Sequence, residues 1–233
     1  MGMYIQRDWP IHVDEQRYSA LMGVEFRSMR EKPGWEATLR QAASELDHAI
    51  RPAACWERYP VREARHDRLV LENGLRLGGG PVVQLLGGAQ ELVVAVLTVG
   101  AGADRVVETA QREGDYLKAL LMHDLAAMAV DMLRQQFCRQ LEEEAGRQGW
   151  HTSTPLSPGE STWSMEDQAV IFSLLDAGQI GVELNDSLVM VPIKSLSLIV
   201  GQSPQPMGTS GVENCSYCTI QERCNYRRLR LTG

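Results

Sequence analysis

Three cysteines near the end of the chain carry the most pointed chemistry in the sequence. Cys215 and Cys218 form a C-x-x-C pair, and Cys224 follows after five further residues. Such a pair can set two thiolates on one ion, and the third cysteine arrives from the next turn of chain. The spacing predicts a metal site: an iron–sulfur cluster, with zinc as the alternative. A fourth ligand would come from Cys55, Cys138, His151 or His123; otherwise one iron stays open to a small molecule or a partner. The competing reading is three free thiols in a structureless tail. Disulfides are a poor explanation, because the chain has five cysteines and three are crowded at one end.

A second constellation is Pro155-Leu156-Ser157-Pro158-Gly159-Glu160. Its prolines fix the direction of the chain, and Gly159 lets backbone approach a ligand closely. The amides at the start of the next helix could meet a carboxylate. An ordinary rigid connector would need the same residues. Trp163 follows closely, either to stack on a flat ring or to anchor the loop. Asp131, His123 and Lys194 also bear chemistry. Their plain readings are a solvated helix-face carboxylate, a packed or half-exposed core histidine and a solvent-exposed lysine.

Bulk properties narrow the functions these residues can serve. The chain has 233 residues and a net charge of −7, with a pI near 5.3. A broad nucleic-acid surface needs clustered Lys and Arg, so nucleic-acid binding is not expected. Arg227, Arg228 and Arg230 form the one basic cluster, read as a solvated tail. No stretch has the apolar length of a membrane helix and the N-terminus lacks a signal core, so a cytoplasmic protein without a membrane partner is expected.

The elements that must position the chemistry read as a mixture of helices and strands. Residues 11–50 are mainly helical by the spacing of Leu39, Ala43, Leu46 and Ile50. Leu69, Leu71, Leu75 and Leu77 alternate around Asn73-Gly74, which predicts a hairpin. Val82–Leu86 and Leu92–Val99 read as buried strands. Leu117, Leu120, Leu121, Leu125, Met128, Met132 and Leu133 mark a long helix from Asp115 to about Glu144, stopped by Gly146. Ser164 is placed to cap a further helix that buries Val170, Ile171, Leu174 and Leu175. Two short strands follow, Leu188–Val191 and Leu196–Val200. Gly78-Gly79-Gly80 and Gly100-Ala101-Gly102 lack phosphate-loop spacing and read as tight turns. Three regions are expected: an N-terminal helical segment (1–60), a core (61–203) and a cysteine-rich tail (204–233).

Several segments, taken in order, resemble the activation domain of cobalamin-dependent methionine synthase, and its stand-alone relatives in particular. They are Thr98-Val99-Gly100, Glu113 to Leu121, Ser157-Pro158-Gly159, Asp167-Gln168 through Leu175, Ile180-Gly181-Val182, Ser187 to Pro192, and Lys194 to Ser197. The resemblance covers about residues 60 to 200, and a cysteine tail also occurs in the stand-alone relatives. It implies an α+β fold, a twisted antiparallel sheet flanked by helices, with the short cysteine-rich metal-binding tail appended. It further implies S-adenosylmethionine in a shallow groove, a corrinoid protein or cobalamin-dependent methyltransferase as partner, and an electron donor protein. The implied cofactor contacts are Pro158, Gly159, Glu160, Trp163 against adenine or corrin, and Asp131 toward the ligand's amine. In the family's loop, Arg-Pro-x-Pro-Gly-Tyr, the first and last positions are here Pro155 and Glu160. The arginine fork that would hold a ligand carboxylate is therefore replaced. The resemblance implies an accessory protein for reductive reactivation of a corrinoid methyltransferase; the alternative is a non-catalytic scaffold or subunit with a structural metal site.

Overall fold

The apolar run that begins at Leu92 forms the middle of the molecule. A computed structural model describes residues 2–13, 15–21, 31, 33–79, 82–160 and 163–207. In chain order the elements are β1 (Tyr4–Arg7), α1 (Glu15–Leu21), α2 (Trp35–Ala49), β2 (Ala53–Arg65), β3 (Arg68–Leu71), β4 (Arg76–Gly78), α3 (Val82–Leu86), β5 (Glu91–Thr98), α4 (Ala101–Arg112), α5 (Tyr116–Arg147), β6 (His151–Thr152), α6 (Asp167–Leu174), a 3-10 turn (Ala177–Ile180), β7 (Glu183–Leu184), β8 (Met190–Val191) and β9 (Ser195–Ser203). Cys215, Cys218, Cys224 and the arginines after them lie outside the described residues.

Seven strands form one sheet in the order β4-β3-β2-β5-β9-β6, with β1 paired to β2. Every pairing in it is antiparallel. The sheet is strongly curled and flanked by helices, as the resemblance implied. One cause lies in β2, whose register shifts between Val61 and Glu63. Such a bulge bends a strand and increases its twist. β2 pairs with β1 and β5 as far as Pro60 and with β3 from Val61 onward, across the bulge.

Both faces of the sheet are covered. Val93, Ala95 and Leu97 of β5 pack with Trp56, Leu198 and Val200 against α2, α4 and α5. Leu92, Val94 and Val96 turn the other way, with Cys55, Ile199, Trp163 and Ile171. A strand covered on both faces reads as a continuous apolar run, so β5 was visible in the sequence.

α5 starts where the sequence placed it, with the Asp115 carboxylate accepting from the Lys118 amide at 3.1 Å. It runs through Gly146 to Arg147, one turn past the expected end. Its buried stripe includes Leu121, Leu125, Met128, Leu133 and Phe137, whereas Leu120 faces solvent. The Asn73-Gly74 hairpin forms between β3 and β4, and the Asn73 side chain accepts from the Leu75 amide at 3.0 Å.

Two expectations are corrected. Val82–Leu86 is a helical turn, not a strand. Five apolar residues fit either element, and here the Gly87 amide closes the helical turn on the Val83 carbonyl at 2.8 Å. The segment 1–60 is not only helical, because β1 and β2 as far as Pro60 belong to the sheet. Close packing at Gly102 explains one glycine pair: a Cβ there would strike the Ala49 carbonyl, so α4 can cross the end of α2 only with glycine at that position.

One buried carboxylate ties three elements together. Asp167 is 4% exposed. It accepts from the Gly78 amide at 2.7 Å, the Trp163 indole at 2.7 Å and Arg68 at 3.1 Å. Replacing it by alanine leaves two buried N–H groups and an arginine without their acceptor. Asp167→Ala is expected to lower stability by about 3 kcal/mol, and Asp167→Asn by less, in urea denaturation.

Candidate functional site

The loop between β6 and α6 carries four of the five expected cofactor contacts. Its entry is pinned to the sheet: Leu156 and Ile199 exchange backbone hydrogen bonds at 3.0 and 2.8 Å. Ser153 adds two more with Gly201, one from its amide to the carbonyl and one from the Gly201 amide to its hydroxyl, both 2.9 Å. Pro158 is buried, while Gly159 and Glu160 are exposed.

Within the loop the chain folds on itself. The Glu160 amide donates to the Ser157 carbonyl at 3.1 Å, and the Ser157 amide donates to the Glu160 carboxylate at 3.1 Å. The Gly159 amide donates to the Trp163 carbonyl at 3.0 Å, and the Trp163 amide to the Glu160 carbonyl at 3.0 Å. Gly159 has φ +88, and a Cβ there would strike the Met165 sulfur. The left-handed backbone is what favours glycine at this position, since the exposed Met165 side chain can move aside. Trp163 is 3% exposed, with its ring in the core and its N–H on Asp167. The indole thus serves as the anchor of the loop.

Asp131 lies midway along α5. Arg134 donates to it at 3.0 and 2.7 Å, and the Gln135 amide at 2.6 Å. Its carboxylate is shared among neighbours on its own helix.

The capping expectation for α6 shifts by a few residues. Ser164 accepts from the Glu166 amide at 3.2 Å, and the helix begins at Asp167. Ile171 and Leu175 are buried; Val170 and Leu174 are half-buried.

Lys194 is buried rather than exposed, at 7%. Its ammonium lies 3.3 Å from His123 Nε2. Burial pushes its pKa down, opposed by the charges of Asp104 and Asp124. His123 is an exposed residue on α5 and not a core histidine.

The cysteines expected as further metal ligands separate clearly. Cys55 is fully buried on one face of the sheet, and burial pushes its thiol up to about 11. Cys138 is half-buried and packs against the other face. Among the described residues no three His, Cys, Asp or Glu side chains are grouped to hold a metal. Nor, among them, is any helix long and apolar enough to cross a membrane. The sequence reading missed the role of Asp167. Its signal was the proximity of an acid at the start of α6 to the indole of Trp163 in the preceding loop.

These features define an α+β domain on a curled antiparallel sheet, with a strapped Pro-Gly loop on one face. No family model matches the sequence, and no curated protein matches it. Among solved structures, the chain is similar to the MetH reactivation domain bound to AdoHcy, with a TM-score of 0.63 and 14% sequence identity. That match covers 90% of this chain and 81% of the other. At this identity the likeness is one of fold.

The Lys194 geometry has a pH consequence. Its folded-state pKa is depressed below the ordinary 10.5. The unfolded chain therefore binds more protons just below that value, so this residue makes stability rise with pH there. Lys194→Met should flatten that rise and match or exceed the parent's stability near neutrality. Urea denaturation at about pH 7 and about pH 10 checks both points.

Proposed function

We propose that the chain is an accessory protein for the reductive reactivation of a corrinoid methyltransferase, with S-adenosylmethionine as methyl donor. The supporting observation is the likeness in fold to a reactivation domain whose solved structure holds AdoHcy. AdoHcy is what S-adenosylmethionine becomes once its methyl group has left. The partner's corrinoid supplies the cobalt chemistry, in which one electron is taken up, the methyl carbon passes from sulfur to cobalt, and the C–S electron pair stays on sulfur. Methyl transfer drains the product of an uphill reduction, which makes the whole sequence run forward.

This chain's contribution is binding and positioning. Pro158 and Gly159 form the rim where backbone can approach the ligand. Trp163, held by Asp167, fixes that rim from below. Glu160 supplies negative charge suited to a sulfonium or an amine, whereas the charge of Asp131 is already met by Arg134 on its own helix. Cys215, Cys218 and Cys224 would hold an iron–sulfur cluster that relays the electron, with zinc as the alternative. Cys55 does not suit the fourth position, because its thiol is fully buried and resists ionisation. Half-buried Cys138 suits it better.

A second reading is favoured by the loop itself. Pro155 replaces the expected arginine, and the Glu160 carboxylate closes back onto the Ser157 amide. On that reading the fold is a docking scaffold and the cysteines form a structural metal knuckle.

Calorimetry with S-adenosylmethionine separates the two. The reactivation reading expects saturable heat, and at least about a tenfold loss of affinity in Gly159→Ala. No heat and no thermal shift would leave the scaffold. Anaerobic purification tests the cysteines: a brown protein with iron and sulfide is expected, lost in Cys215→Ser with Cys218→Ser. A colourless protein carrying stoichiometric zinc would remove the electron relay.

A further inference from the structure

We infer that the chain has a second small-molecule site, for an α-amino acid with an apolar side chain. It lies on the face of the sheet opposite the Pro158–Gly159 loop.

The strand register builds it. Trp56, Ala95 and Leu198 form one row across β2, β5 and β9; Arg58, Val93 and Val200 form the next, and Pro60, Glu91 and Gln202 the last. All three rows face α5. The first two rows are packed beneath the helix. At the last row α5 is ending, and a cavity of about 540 Å³ opens between Trp56, Arg58, Glu91, Glu144 and Gln202, with Tyr4 and Trp150 at its sides. That volume lies within the range of small-ligand pockets.

Two donors in its wall lack acceptors. Among the described residues, neither Trp56 Nε1 nor Gln202 Nε2 has a hydrogen-bond partner. The two residues are 5% and 4% exposed. An unmet buried donor destabilises the fold, so two of them on a largely apolar sheet face need an explanation. Phenylalanine and leucine would fill the same space at no such cost.

The donors are also held in place. The Trp56 ring is stacked on Tyr4 at 5.6 Å and meets the edge of Phe137 at 5.4 Å. The Gln202 carbonyl accepts from Arg58 at 3.4 Å, which orients its NH₂. Arg58 is in turn fixed by Glu144 at 2.9 Å. An indole N–H, an amide NH₂ and a guanidinium together call for a carboxylate.

The ammonium has its own partner. Glu91 stands directly opposite Gln202 across the β5–β9 ladder. Its carboxylate forms no hydrogen bond or ion pair among the described residues. Side chains opposed in this way start about 5 Å apart, the spacing needed to take the two charged groups on one α-carbon. Ala145, Tyr4 and Trp150 then offer the ligand's side chain an apolar and aromatic wall. This site is independent of corrinoid chemistry.

The test uses the full chain with L-phenylalanine and L-leucine as probes, alongside phenylacetate and phenethylamine. The readout is the Trp56 indole N–H resonance in ¹⁵N-labelled protein, assigned by its loss in Trp56→Phe, with calorimetry in parallel. Saturable movement of that resonance by the amino acids is expected. Phenylacetate and phenethylamine, each lacking one charge, should bind at least about tenfold more weakly, and Glu91→Gln should cost L-phenylalanine about the same. Gln202→Leu should abolish the response while folding as well as the parent, since it removes an unmet donor. No movement at roughly 10 mM amino acid, far above the affinity of a built site, would overturn the inference. So would unchanged binding in Glu91→Gln, or a water-exchange signal showing the indole N–H satisfied by a resident water that no probe displaces.

Discussion

β5 has no solvent-facing side, and this constrains everything around it. Alternate residues serve two separate cores, so a one-residue slip would exchange Ala95 for a larger neighbour beneath α5 and carry every β5 side chain to the wrong layer. Each buried Val or Leu contributes about 1.5–3 kcal/mol, and β5 supplies such residues to both sides. The bulge in β2 then lets one long strand leave β5 and continue toward β3 and β4, curling the sheet around the second core. The helices of the first core have no such freedom. They pack against a face already fixed by the register.

The parts legible in the sequence were those where a local signal and a tertiary demand agreed. Asn73-Gly74 wants a turn, and β3 and β4 need one. The period along α5 is helical, and the sheet needs a long cover. Misreadings arose where several residues fit more than one element. Val82–Leu86 has the length of a strand but is closed into a turn by Gly87. β1, only four residues long, left no pattern to read against the bordering Trp9 and Pro10. Lys194 looked like a surface residue because its burial comes from α4 and α5, far away in sequence.

The candidate loop shows the same division. Pro158 and Gly159 were legible because their conformational limits are local. What holds them was not. The buried carboxylate of Asp167 joins the loop to β4 and to Trp163, and nothing near residue 167 announces that Gly78 will be its partner. In sequence Asp167 reads as an ordinary acid in a helix's first turn. In the fold it is the point through which the loop, α6 and the β3–β4 hairpin share one position.

The two faces of the sheet also share β9, and that limits how either can change. The strap from Ser153 to Leu156 is bonded along its outer edge, at Gly201 and Ile199. Gln202, the next residue, points into the cavity on the far side. A packed strand with pairing on both edges has no slack, so its alternate residues move together or not at all. From Leu156 back to Ser153 the loop can shift only by breaking the ladder that fixes Gln202. Residues of opposite orientation on one strand thus hold the loop and the cavity to a single reference frame.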